Sequence, residues 1–262
     1  MALSDTRKPV VAGQFYPGTK ESLNKALAEL INPRALKNDV IACMLPHAGY
    51  MYSGKVAGET VSEINIKSKV ILLGPNHTGY GNPFSIMTKG SWETPLGAVN
   101  IDSRLAAELL KNSKYLKEDK LAHENEHSLE VELPFLQYLK KDFAIVPIAF
   151  MSGNLAALKA VGEEIARVII DNNVRKDVLI VASSDMTHYE PLKEAESKDR
   201  EAIDAIISLD ADRLMAKVKE LDISMCGYAP AIVMITSAKL LGAKIGKLVK
   251  YQTSGDTTRD FE

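Results

Sequence analysis

The sequence predicts an α/β fold, a three-layer α/β/α sandwich around a mixed, largely parallel central sheet. Two observations predict it. Short unbroken apolar runs at 39–45, 69–74, 143–151 and 177–184 have the length of strands and lack polar alternation, as strands covered on both faces do. Between them lie segments with apolar residues at helical spacing, and strands alternating with helices build parallel sheets.

In chain order, "ESLNKALAEL" (21–30) has helical spacing of Leu and Ala. "DVIACML" (39–45) and "KVILLG" (69–74) are buried strands, with the amphipathic "VAGETVSEI" between them as crossover helix. "FSIMT" (84–88) and "GSWETPLGAVNID" (90–102), broken by Pro95 and Gly97, read as shorter strands that make the sheet mixed. "SRLAAELLKN" is a helix capped by Ser103 or Asp102. "HSLEVELPFLQYLKK" (127–141) is helical, kinked at Pro134 or starting near it. A strand at 143–151, a helix at 155–172 and a strand at 177–185 follow. Charged helices are expected near 194–208 and 211–221, an apolar helix at 227–243 and a closing strand at "KLVKYQTS" (247–254).

The bulk numbers set limits. A chain of 262 residues, 46% hydrophobic and 25% charged, has the composition of a globular protein. No linker, repeat or low-complexity tract interrupts it, so residues 1–262 are expected to form a single domain. A net charge of −2 and a pI near 6.3 give no electrostatic reason for a nucleic-acid or acidic-membrane partner. No apolar run approaches the roughly 20 residues that span a bilayer, and "MALSDTRKPVVAG" lacks the apolar core of a signal peptide. Two cysteines, Cys43 and Cys226, make no disulfide framework and suit a reducing compartment. A cytoplasmic location is the expectation.

Ligand sites in open α/β sheets form outside the carboxyl ends of the strands. His47 follows the strand at 39–45, His77 follows that at 69–74, and Asp185 and His188 follow that at 177–184. One such histidine is ordinary; three past the ends of strands in one sheet point to a shared purpose. Imidazoles converging with a soft or anionic third donor make a transition-metal site. Cys226 stands just before an apolar helix, whose N-terminus would favour its thiolate. On local sequence alone it reads equally as a ligand and as a small buried side chain; Cys43, inside a strand, reads as the latter. "HENEH" (123–127) formally matches HExxH, but it precedes the helix, so orientation of the site from outside suits it better than a zincin centre. Tyr50, Tyr52 and Tyr189 lie near candidate histidines. No P-loop, GxGxxG or G-x-S-x-G elbow is present.

"VAGQFYP" (11–17), "PHAGYMYSG" (46–54), "LGPNHTGYG" (73–81), "WETPLGAVNID" (92–102), "EHSLEVELPFLQ" (126–137), "SSDMTHYEP" (183–191), "CGYAP" (226–230) and "YQTSGD" (251–256) together resemble the MEMO family, in its order and over nearly the whole chain. The resemblance implies a fold related to class III extradiol dioxygenases (LigB-like), which hold non-haem iron with two His and one Glu. In the MEMO family a Cys replaces that Glu. Matched positions give His47, His77 and Cys226 as metal ligands. His188 would be the acid/base, with Asp185 beside it, and Tyr50, Asn76, His127 and Glu130 would line the pocket or support the ligands. A thiolate shifts the expected metal toward iron or copper, with zinc as a further candidate.

What the resemblance implies for function is a metal-dependent, dioxygenase-like redox enzyme acting on a small-molecule or peptide substrate. AMMECR-type and radical-SAM proteins are the partners it suggests. The rival readings are a Cys226 thiol hydrolase or transferase and a non-catalytic peptide- or protein-binding module. The family pattern also runs on past "SGDTTRDFE" through a further strand, so the sheet is expected either to lack that edge strand or to have a neighbouring subunit over it.

Overall fold

The structure, a computed structural model, describes residues 6–259. The chain opens with β1 (Thr6–Arg7), α1 (Lys20–Leu30), β2 (Ala42–Leu45), α2 (Tyr50–Ser62) and β3 (Lys69–Pro75). β4 (Phe84–Ile86), β5 (Ser91–Thr94), β6 (Gly97–Asn100), α3 (Ser103–Asn112) and β7 (Lys117–Glu118) follow. Next come α4 (Leu121–Glu124), α5 (Leu133–Leu139), β8 (Ala144–Phe150), α6 (Leu155–Asp171) and β9 (Val178–Ser183). The last elements are α7 (Leu192–Ile207), α8 (Ala211–Glu220), α9 (Tyr228–Leu240) and α10 (Gly255–Thr258).

Six strands form the central sheet in the order β2-β9-β3-β8-β4-β7. The first four are parallel; β4 runs antiparallel to β8 and carries β7 parallel to itself. The predicted α/β fold with a mixed, largely parallel sheet is therefore observed. Every residue of β9 is buried, and so is all of β3 except Lys69. Each such Leu or Ile contributes about 1.5–3 kcal/mol of burial, which is why these runs carry no polar alternation. α9 lies against β3, β8 and β9 with α6 and α8 behind it, while α1, α2 and α5 pack together in the other helical layer. Ala229 to Ala238 of α9 are all buried, which fits a helix apolar on every side.

Several expectations need correction. The hairpin β5–β6 does not join the central sheet; it pairs with β1 in a separate three-stranded sheet, seating Trp92 in the core. Of residues 84–102, Phe84–Ile86 is the strand that joins the main sheet, where it and β7 run against the other four strands. α2 begins at Tyr50, six residues before the amphipathic stretch, so the crossover helix starts just after His47. Asp102, not Ser103, caps α3, its side chain accepting from Leu105 N. Residues 247–254 form no strand. They run as an irregular strap tied by side chains: Lys247 to Glu63, Lys250 to Glu59, and Tyr251 Oη to Asp199 at 2.7 Å. Tethering by long side chains holds the strap off β2, leaving a cavity of about 1260 Å³ lined by Val40, Met44, Ile207, Ile245 and Leu248.

Glu130, expected beside the metal ligands, is instead the anchor of the N-terminal segment. It accepts from Arg7 Nη1 (2.7 Å), Val10 N, Val11 N and Tyr16 Oη, and both members of the Arg7–Glu130 pair are buried. Arg7 also caps the carbonyls of His123 and Glu126 and lies 4.3 Å from the Trp92 ring centre. Breaking such a pair leaves an uncompensated buried charge. Arg7→Met is therefore expected to destabilise the fold by about 3–5 kcal/mol, read as a lowered midpoint in chemical denaturation at unchanged slope.

Candidate metal centre at the strand ends

β9 lies between β2 and β3, and loops leaving all three strands meet above their carboxyl ends. His47 follows β2 in the turn Pro46–Gly49. Its backbone N donates to Asp185 Oδ1 at 2.8 Å, so Asp185, at the exit of β9, fixes the turn. The ring is 2% exposed, with Nδ1 at 2.7 Å from Ser183 Oγ. That hydroxyl gives its one proton to Ser128 O at 2.8 Å, so it accepts from His47 Nδ1–H. The ring's other nitrogen, Nε2, faces the mouth, 3.4 Å from Cys226 Sγ.

His77 follows β3 in a loop built by Asn76. The Asn76 carbonyl accepts from Thr78 N, Thr78 Oγ1 and Gly79 N, and its amide donates to Tyr80 O. Asn76 thus shapes the loop rather than lining a pocket wall. Glu126 holds the histidine itself, accepting from His77 N and, at 3.0 Å, from His77 Nδ1, as well as from Ser128 N. Here too Nδ1 is occupied, and Nε2 is the nitrogen turned toward Cys226.

Cys226 arrives from the loop before α9. Asp185 N points at its sulfur at 3.3 Å, and Gly227 N donates to Ser184 Oγ. Gly227 has no room for a side chain: an added Cβ would stand 2.2 Å from Ser183 O. The thiol reaches the two imidazoles because that methyl is missing. One donor atom each from His47, His77 and Cys226 lies within 4.8 Å of the others.

The charges in this cluster are mutually tuned. Burial pushes the Cys226 thiol up, but hydrogen bonds with His47 and His77 outweigh it and bring the pKa to about 6. The same bond to Cys226, with that to Glu126, raises His77 to about 10. Burial opposes the charge on His47, yet Asp185 and Cys226 leave it raised. Burial also raises Glu126, but the His77 partnership carries it down to about 2.

His127 stacks on His77 with ring centres 5.0 Å apart and lies 5.6 Å from His47. Its carboxylate neighbour, Glu126, is 3.5 Å from Nδ1, and burial lowers its pKa. The group His77, Glu126, His127 is a second donor cluster sharing one residue with the first.

His188 stands at the rim, but Asp185 does not orient it, contrary to expectation. Its Nδ1 donates to Ser224 O at 2.9 Å, whereas Asp185 Oδ2 faces His47 Nε2 at 3.9 Å. Tyr50 is buried with its hydroxyl on Val131 O, so it lines the basin by its ring alone; Tyr52 and Tyr189 are exposed at the mouth. HExxH is not realised. α4 ends at Glu124, and His123 is fully buried against Trp92 and held by burial and Arg7 at a pKa of about 4. The orientation expected of "HENEH" falls to Glu126, the Glu directly before His127, whereas Ser183 and Ser224 are supports that sequence reasoning missed.

A family profile described as Memo-like protein matches residues 7–262. The chain belongs to the Memo-like family. Similar curated proteins are called only MEMO1 family proteins. One from Aquifex aeolicus is 46% identical over 97% of this chain and 94% of its own length. One from Methanopyrus kandleri is 40% identical over the same shares. Among solved structures, the uncharacterized protein JW3007 from Escherichia coli K12 is similar at TM-score 0.48 and 15% identity, over 66% of this chain and 76% of that one. Among the described residues of this Memo-like chain, no helix is long and apolar enough to cross a membrane.

Alkylation tests the electrostatics. In chelator-treated protein, iodoacetamide labelling of Cys226 is expected to be half-maximal near pH 6, against about 8.5 for an ordinary thiol. His47→Ala is expected to shift that midpoint upward, measured by intact mass. Cys43, whose thiol burial pushes up, stays unlabelled over the same range.

Proposed function

We propose that the protein holds one transition metal through His47, His77 and Cys226 and acts as a redox enzyme on a small molecule. The observation that supports this reading is the state of the two imidazoles. Each has Nδ1 engaged by a protein acceptor, Ser183 for His47 and Glu126 for His77, so each turns Nε2 to the mouth, where its lone pair is available to an ion once the ring gives up its Nε2 proton. Acceptors behind metal-binding histidines do this work of fixing tautomer and ring orientation. Donors sharing one ion sit no more than about 4.5 Å apart, so these three need little movement to close on it. Two imidazoles with a thiolate suit iron, copper or zinc; iron and copper are the redox members of that set.

A bound iron or copper would supply electron transfer to or from a molecule in the basin. The chain's residues supply the rest. Asp185 locks the His47 turn, and Glu126 locks His77 and stays ionised. His188, with Nδ1 held by Ser224, presents Nε2 at the rim, where it gives and takes protons. Phe15, Met51 and Tyr52 shield the basin, and no Lys or Arg is among its described lining residues, which suits an uncharged molecule better than a phosphate.

One observation favours a second reading. A thiol with pKa near 6 beside an imidazole is the arrangement of a cysteine nucleophile and its base. Metal decides between them: protection of Cys226 from iodoacetamide by stoichiometric Fe(II) or Cu(I) favours the metal enzyme, and undiminished labelling favours the nucleophile.

Anaerobic titration with Fe(II) and with Cu(I) is expected to show one ion per chain, weakened at least tenfold by Cys226→Ser. Because His77 must lose a proton to bind, affinity is expected to rise with pH up to about 10. Absence of stoichiometric binding, or binding indifferent to Cys226→Ser, sinks the reading.

A further inference from the structure

Glu132 lies behind the centre and has no role in it so far. The residue is 1% exposed, and neither carboxyl oxygen meets a partner at hydrogen-bonding geometry. It stands at the N-cap position of α5 but makes no side-chain cap bond there, and its side chain is buried. Among the described residues, no cation acts on it. The charge acting on it is that of Asp185, which repels, and burial drives its carboxyl well above the usual range. An isolated buried carboxylate costs several kcal/mol, so the group is carried as the neutral acid, whose O–H needs an acceptor.

The polar groups around it narrow the choice. An ionised Glu132 would push up both the Cys43 thiol and the Tyr50 hydroxyl, but neither bonds to it, and the Tyr50 hydroxyl is held on Val131 O. The hydroxyl beside Glu132 is that of Ser183, whose bond favours the ionised acid but is outweighed by burial. Ser183 Oγ has one proton, given to Ser128 O, and two lone pairs, of which His47 Nδ1–H takes one. One acceptor position is left, and the terminal torsion of Glu is broad enough to turn an O–H into it.

We propose that Glu132 is a positioning residue: its O–H donates to the remaining lone pair of Ser183 Oγ and thereby holds His47 in the form that carries its proton on Nδ1. With all three positions filled, Ser183 cannot turn its own proton toward His47. The chain Glu132 O–H to Ser183 Oγ, Ser183 O–H to Ser128 O and His47 Nδ1–H to Ser183 Oγ then leaves His47 Nε2 as the group facing Cys226. This deepens the metal reading above and rests on it for its purpose, but it is tested without metal, so the two fail separately.

Infrared spectra of metal-free protein with 13C-labelled glutamate are expected to show a protonated-acid carbonyl band at neutral pH that vanishes in Glu132→Gln. In 15N-resolved NMR, the His47 Nδ1–H proton is expected to be seen in the native chain and in Glu132→Gln, whose amide also donates. It is expected to be lost to exchange in Glu132→Met, which keeps the shape without the donor. Circular dichroism and thermal melting establish that each variant is folded. A missing acid band overturns the proposal, as does a Met variant with the native His47 signal or a Gln variant that loses it. Should Glu132→Met fail to fold, the infrared band and the Gln signal decide alone.

Discussion

The level ending of three parallel strands governs the site. Leu45 of β2 pairs with Ser183 of β9, and Leu73 of β3 pairs with Ala182. The turns carrying His47 and His77 therefore leave the sheet within one residue of the same height, on either side of a strand that ends at Ser183 and runs on into Ser184 and Asp185. Adjacent strands lie about 4.8 Å apart, so two strands separated by a third present loops at the spacing two imidazoles need to face one another. A one-residue slip of β9 would turn Ser183 to the opposite face and leave His47 Nδ1 without its acceptor. The chemistry of the mouth is thus a property of register before it is a property of any side chain.

Upon that frame, polar groups are assigned with little redundancy. Glu126 accepts from the backbone and ring of His77 and from Ser128 N, so one carboxylate fixes a loop, a tautomer and a second loop. Ser128 in turn binds Pro75 O through its hydroxyl and takes the proton of Ser183 on its carbonyl. The segment between α4 and α5 is therefore a staple across the ends of β3 and β9. Its opposite flank, Glu130, holds the N-terminal segment through Arg7. Anchor and centre share a few consecutive residues, which explains why this stretch has so many buried acids.

Much of this was legible in the sequence. Unbroken runs such as "KVILLG" announce doubly covered strands, and histidines just beyond them announce a ligand mouth, because period and position are local properties. The parts that were not legible depend on distant partners. β5 and β6 look like sheet strands, but a two-residue strand 85 positions away claims them for a separate sheet. "KLVKYQTS" has the composition of a strand, yet ladder pairing needs a neighbour at the right distance, and its tethers are side chains. Which of four glutamates between 124 and 132 meets the histidines follows from the path of a loop, not from spacing; Glu126 does and Glu130 does not. Asp185 and His188 lie three residues apart and face different groups, because the chain turns between them toward Ser224.

The loop that bears His77 closes on its own side chain. Asn76 supplies the bonds that a longer-range partner would otherwise provide, and Gly79 and Gly81 take the left-handed turns that its circle demands. A ring fixed in this way has surrendered its freedom at folding rather than at capture. Donors that are immobile beforehand lose little conformational entropy when they are engaged, which tightens association. They also resist rearrangement to suit an ion of the wrong size or preferred shape. With a metal held as proposed, selectivity among ions with similar taste in ligands would rest on the stiffness of a five-residue circuit.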